Sequence, residues 1–181
     1  MSNNFTNLVL CFAFYSMFGW ICETIYCSVG AGRLVPRGFL KGPICPIYGF
    51  GAIAVLSFVE PYLSRPVALF FMAFIVTSVL EYFTSWLQDT LFGYRWFDYS
   101  TYRFNLKGRI CLRNSTLYGL MALFVSYVLH PRAVRWFGSI SATTKDIAAL
   151  LFLIIVTVDV IYSVNRARKI PERKRNLKKL S

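Results

Sequence analysis

Apolar positions along the chain gather into five long runs, each closed by charge or by Gly and Pro: about Phe5 to Val29, Ile47 to Tyr62, Pro66 to Phe92, Ile110 to His130 and Ile147 to Asn165. A hydrocarbon core about 30 Å thick takes roughly 20 apolar residues in a helix, so these runs predict membrane-crossing helices. The second run is the shortest, opens in glycines and ends at Glu60-Pro61, which leaves a re-entrant segment as the alternative to a full crossing. The fold class expected is all-α, a polytopic integral membrane protein of about five transmembrane helices. Residues 1–165 form the membrane domain, built as two helical hairpins (5–62 and 66–130) and a fifth helix (147–165). Residues 166–181 form a basic cytoplasmic tail.

Composition narrows the classes further. Of 181 residues, 56% are hydrophobic and 15% charged, against roughly 25% charged in soluble domains, which argues against a single soluble globule. The 20 Lys and Arg outnumber the 8 Asp and Glu, for a net charge of +12; on a chain this apolar, that charge belongs to loops and tails, not to a nucleic-acid surface. Five cysteines, an odd number lying mostly in or beside apolar runs, do not suggest a disulfide scaffold.

Placing the N-terminus outside puts sixteen basic residues on the cytoplasmic side and four on the other, so the positive-inside rule predicts N-out and C-in. The first run lacks a basic leader, and Leu8-Val9-Leu10 before Cys11 lacks a small cleavage residue, so it is expected to be a retained helix. The tail cations lie against the anionic leaflet, contributing about 1 kcal/mol each when close. Asn114-Ser115-Thr116 matches a glycosylation sequon but falls at the cytoplasmic end of the fourth run, which removes it from consideration. Trp20, Trp86, Trp96 and Trp136, with many tyrosines, sit near run ends as interfacial belts do.

An internal repeat appears in the two larger basic loops. Arg37-Gly-Phe-Leu-Lys-Gly-Pro-Ile-Cys45 aligns with Arg103-Phe-Asn-Leu-Lys-Gly-Arg-Ile-Cys111, with six of nine positions identical. Each copy follows a run that carries an acid, Glu23 or Glu81, and leads into another run. The implied relation is a parallel repeat about an axis along the membrane normal.

An ionisable side chain at the centre of a membrane helix costs about 2.5–3.5 kcal/mol on insertion scales, so it is retained where it faces protein, water or a partner. Glu23, Glu81 and Asp159 each fall roughly 9–12 Å inside the cytoplasmic end of their runs at the helical rise. They are expected to share one layer beneath the repeated loops. Arg37, Lys41, Lys107 and Arg109 can reach toward them, and Arg offers a planar fork for phosphate or carboxylate. Structural pairs that fix helix packing are the competing explanation. The candidate substrate-binding residues are Glu23, Arg37, Cys45, Glu81, Asp98, Asn105, Arg109 and Cys111. No catalytic residue is assigned, and neither a cofactor nor a metal is expected: the chain carries no Cys-x-x-Cys pair and a single His. It has no nucleotide-binding loop and so would not hydrolyse ATP alone.

At these residues the sequence resembles the Putative ABC-transporter type IV family of small bacterial multi-spanning proteins. The resemblance rests on Gly19-Trp20-x-x-Glu23, on Arg37-Gly-Phe-Leu-x-Gly-Pro-x-Cys-Pro-x-Tyr-Gly-x-Gly51 and on Glu81. Trp96-x-Asp98-Tyr-Ser100 and Phe104-Asn-Leu-x-Gly-Arg-x-Cys-Leu112 extend it over about residues 10–130. Lys41 and Lys107 depart from the small polar residue associated with the family there. The resemblance implies a transport-related protein of the bacterial plasma (inner) membrane, associated with a separate ATPase subunit.

The function expected is that of a permease-like or accessory subunit binding a polar or amphipathic small molecule in a cytoplasm-facing cavity. Its partners would be membrane lipids and either further copies of the chain or another membrane or ATPase subunit, with no nucleic acid. A membrane-embedded enzyme acting on a lipid or phosphorylated lipid-like substrate, and a non-catalytic sensor or assembly factor, are the alternatives.

Overall fold

The computed structural model describes residues 4–93, 95 and 97–180, without the side chains of residues 59, 60 and 170–180. Helices α1 (Asn4–Ala31), α2 (Pro46–Val59), α3 (Pro66–Phe92), α4 (Leu112–Phe124), α5 (His130–Ser139) and α6 (Ala142–Leu180) make up most of it. Strands β1 (Asn105–Leu106) and β2 (Ile110–Cys111) pair as one antiparallel hairpin in the loop before α4. A π-helical turn, Val125–Leu129, joins α4 to α5, so residues 112–139 run as one helix. Four helical segments are long and apolar enough to cross a membrane. At 1.5 Å per residue, α1 and α3 are about 40 Å long whereas α2 is about 21 Å, shorter than a hydrocarbon core. The fold is therefore all-α and polytopic, with four long apolar helices and one short one.

Outward faces are apolar, unlike those of a soluble bundle, and inward faces mix small and polar side chains with apolar ones. On α3, Val67, Phe71, Ile75, Val79 and Phe83 are exposed at every fourth residue and form one continuous stripe. The opposite side of the same helix buries Ala73, Ser78, Glu81 and Ser85. Without a hydrophobic drive between helices, association relies on close packing at small residues and on hydrogen bonds. Both are present: Ser78 Oγ lies 2.8 Å from Ser115 Oγ across α3 and α4, and a Cβ on Gly119 would come within 2.6 Å of the Phe70 ring. Val55, Leu69, Ala73 and Ala122 close the apolar centre between α2, α3 and α4.

Helices α1 with α2, and α3 with α4, are the two hairpins, and α6 lies along α1. Thr6 Oγ1 donates to Asp146 Oδ1 at 2.7 Å and Phe12 meets Phe152 at 6.2 Å between centroids, so α6 runs parallel to α1. The fourth run was expected to end at His130, but the helix continues to Ser139 through the π turn. Pro131 accounts for that turn, since it has no N–H and its ring crowds the carbonyl four residues earlier. The ladder widens instead, and the His130 N–H bonds to the Val125 carbonyl.

The second hairpin helix does not start where the first ends. Cys45 N donates to the Ser16 carbonyl at 3.1 Å, and Gly49 packs on Ser16 while Tyr48 packs on Gly19. Helix α2 thus begins roughly 18–22 Å back from the end of α1 along its axis, and residues 32–45 fold back beside α1. The Ser78–Ser115 contact places the start of α4 about 16 Å back from the end of α3. Both connecting loops therefore return into the helical bundle, burying Leu40, Ile44 and Cys45 from the first and Tyr99 and Cys111 from the second.

Candidate functional site

The returning loops enclose a cavity of about 510 Å³. Helix α1 contributes Cys22, Glu23, Tyr26 and Cys27 to its wall, and the first loop contributes Arg37. Helix α2 adds Tyr48, the second loop adds Phe97, Asp98, Tyr99 and Tyr102, and α4 adds Asn114, Leu117, Tyr118 and Met121. Two acids and one base line it, in a chain where bases outnumber acids more than twofold. Five of the other lining residues are tyrosines, each with an apolar face and a hydroxyl that donates or accepts.

Each charged group is held by local structure. Glu23 is buried on α1; its Oε2 accepts from Cys45 Sγ at 3.7 Å, and Tyr48 and Arg37 are its other polar neighbours. The Arg37 N–H reaches Thr24 Oγ1 at 3.4 Å, which pins the loop one residue from Glu23. Asp98 Oδ1 accepts from Ser100 N at 3.0 Å. That backbone N–H holds the Asp98 carboxyl below the usual carboxylate range, because it favours the charged form.

Glu81 lies behind this cavity. It is 2% exposed, and its Oε1 accepts from Tyr99 Oη at 2.8 Å and Tyr118 Oη at 3.3 Å. It lines a smaller chamber of about 70 Å³ whose other walls include Gly19, Val55, Leu80 and Val125. Tyr48 and Tyr118, in edge contact at 6.0 Å between centroids, belong to the walls of both spaces. Glycine is required at position 19 for this partition, because a Cβ there would run into the Tyr48 ring.

Other sequence candidates lie elsewhere. Arg109 Nη2 donates to Asp89 Oδ2 at 2.8 Å, and Arg95 reaches the same oxygen at 2.9 Å; Arg109 thus ties the β hairpin to α3 and does not line the cavity. Asn105 shapes the hairpin turn, accepting from Gly108 N at 2.8 Å, beside Lys107 with φ 53°. Cys111 is buried at the entry to α4. Cys45 touches Glu23 without lining the cavity. Asp159 accepts from Lys41 N at 3.0 Å and Gly42 N at 2.8 Å, so it anchors the first loop to α6. Trp96 and the tail cations from Arg173 onward lie outside the described side chains.

The tyrosines and Asn114 were the residues that sequence reading passed over. Tyr48 sits three residues after Cys45 and Tyr99 directly follows Asp98, so proximity to the candidate motifs was the available signal. A tyrosine near the end of an apolar run reads equally as an interfacial anchor, which hid it.

Comparison with known proteins adds the last constraint. Neither a curated protein nor a solved structure matches the chain. A family model described as Putative ABC-transporter type IV matches residues 10–164, from within α1 through most of α6. That stretch takes in both hairpins and every residue lining the two chambers. The chain belongs to the Putative ABC-transporter type IV family and is, in keeping with that family's name and its four long apolar helices, a transport-related membrane protein.

Proposed function

We propose that the chain is a permease-like or accessory transport component that binds a polar or amphipathic small molecule in the cavity between the two returning loops. The observation that carries this reading is the lining itself: Glu23, Arg37, Asp98 and Asn114 among five tyrosines, in a space of about 510 Å³. Ligand sites of several hundred cubic ångströms combine a few convergent polar groups with aromatic surface. Glu23 and Asp98 offer acceptors to a donor-rich or cationic group, and Arg37 offers a fork to phosphate or carboxylate. A solute carrying both kinds of group uses the whole lining.

With the positive-inside orientation the cavity opens toward the cytoplasm, and the two hairpins act as parallel repeats that each deliver an acid, Glu23 or Glu81, to one polar layer. Arg109 serves this layer indirectly by holding the β hairpin in place. Energy comes from a partner ATPase subunit, and the exposed apolar face of α6, with Leu150, Ile154, Val158 and Ile161, is a surface on which such a subunit or further copies of the chain can associate.

The test is mass spectrometry of small molecules and lipids that co-purify from native membranes. A species enriched with the wild-type chain and lost from both Glu23→Gln and Arg37→Gln, with folding intact, is the expected result. An identical profile in all three removes the proposal. Incubation with labelled membrane lipids separates transport from the enzymatic alternative, since covalent change of the label would favour the enzyme.

A further inference from the structure

The smaller chamber and the acid at its edge are not used by solute binding. Glu81 Oε2 is buried and has no hydrogen-bond partner among the described residues, whereas Oε1 has two phenolic donors. The groups facing this carboxyl are Tyr99 from the second loop, Tyr118 from α4 and, through space, Glu23 from α1; Tyr48 from α2 stands next to Tyr118. Among the described residues no cation pairs with this carboxyl: Arg95 and Arg109 both pair with Asp89, and Arg37 lies in the solute cavity lining, beside Glu23. A carboxylate there would face Leu80, Ala122 and Val125 without a counter-ion. Its neighbour Glu23 makes two simultaneous negative charges costly. The same lining offers no cage of oxygen ligands for Ca²⁺ or Mg²⁺, which take six or more, and no group of three His, Cys, Asp or Glu side chains that could hold a metal occurs among the described residues.

We propose that Glu81 is a proton-binding site loaded from the solute cavity through Tyr48 and Tyr118. The tyrosines stand in order between the two acids: Tyr48 lines the solute cavity beside Glu23, its ring meets that of Tyr118 at 6.0 Å between centroids, and Tyr118 donates to Glu81 Oε1 at 3.3 Å. When Glu23 carries a proton, its O–H passes that proton to the Tyr48 oxygen as the Tyr48 proton moves to Tyr118 and the Tyr118 proton moves to Glu81. One O–H bond breaks at Glu23, one forms at Glu81, each phenol keeps one proton throughout, and the charge moves from Glu81 to Glu23. Rotation of the two hydroxyls resets the chain. Tyr99 also lines the solute cavity and bonds to the same Glu81 oxygen at 2.8 Å, so it is the competing direct route that the test separates from the path through Tyr48 and Tyr118.

The relay does not depend on which solute binds, so its test uses none. Full-length protein in lipid nanodiscs, labelled with carbon-13 glutamate, is moved from H₂O to D₂O and the carbonyl stretch of neutral carboxylic acid is followed by infrared spectroscopy. The expected result is a labelled band, absent in Glu81→Gln, whose exchange slows at least tenfold in Tyr118→Phe and Tyr48→Phe. Tyr99→Phe shifts the band's frequency without slowing exchange. The phenylalanine variants keep Glu81 and report on it even where Glu81→Gln fails to fold. Exchange as fast in Tyr48→Phe and Tyr118→Phe as in the wild type, or equal slowing in Tyr99→Phe, overturns the relay. Absence of any labelled neutral-acid band overturns the proton site itself.

Discussion

Gly19 shows how one residue without a side chain sets the geometry of the site. It admits the Tyr48 ring against α1, and Tyr48 in turn divides the cavity from the Glu81 chamber. Gly19→Ala is expected to lower stability by about 1–3 kcal/mol, the usual cost of forcing a methyl group into a filled contact, and to change the Tyr48 environment. Gly51→Ala, in the same region with no atom within 4 Å of the added carbon, is expected to be neutral or to stabilise by up to about 1 kcal/mol. Thermal unfolding of both variants in detergent checks the pair; equal losses would contradict the packing argument. Asp98 gives a pH dependence with a defined sign. Its folded-state carboxyl is held below the ordinary range by Ser100, so its contribution to loop order is complete above the unfolded value and is lost as pH falls through the lower, folded one. The protection factor at Ser100, that is amide exchange relative to the unfolded chain at the same pH, should be flat from neutral pH down to about 4 and fall below it, and Asp98→Asn should remove that acid step.

At the scale of elements, the two returning loops decide where functional groups meet. Asp159 holds the first loop by accepting from two consecutive N–H groups, and Gly42 must lack a side chain there because a Cβ would lie 2.9 Å from Asp159 Oδ2. Asp159→Ala should loosen residues 41–42 by about 1 kcal/mol, the typical net worth of a hydrogen bond, read as roughly fivefold faster amide exchange at Lys41 and Gly42 with little change in α1. Apolar run length foretold α1 and α3 closely, because lipid-facing helices have no competing pattern to obscure them, whereas α6 extends at both ends beyond the 147–165 run, to Ala142–Leu180. The short second run is matched by a short helix, α2, of 14 residues. What hydropathy could not convey is depth: nothing in the spelling of residues 32–45 says that Cys45 bonds back to Ser16. Identical repeat residues also take unlike shapes, since Lys107-Gly108 turns a β hairpin whereas Lys41-Gly42 leans on Asp159. Arg109 was mistaken for a lining cation for the same reason: its partner, Asp89, lies twenty residues earlier on α3, and only the hairpin brings them together.

For the whole molecule, exposed apolar stripes around an interior of small, apolar and polar side chains describe a protein shaped for lipid, with the polar chemistry gathered near one end of the bundle. The distribution of basic residues predicts that this end faces the cytoplasm. A C-terminal fluorescent-protein fusion, which matures on the cytoplasmic side, should be bright, and a C-terminal alkaline phosphatase fusion inactive; the reverse pattern would invert the orientation. The intramembrane acids were legible as functional candidates from their cost alone, and Glu23 with Arg37 and Asp98 do line one space. Glu81 stands apart, behind two tyrosines, and that separation is the difference between a shared pocket and two linked chambers. The most direct measurement is a structure determined in native lipid at a resolution that shows side chains and small-molecule density. It is predicted to show density in the larger cavity in contact with Glu23 and Arg37, with Tyr48 and Tyr118 between it and Glu81. Glu23 directed at lipid, or a cavity closed by the returning loops with no room for a solute, would contradict the account.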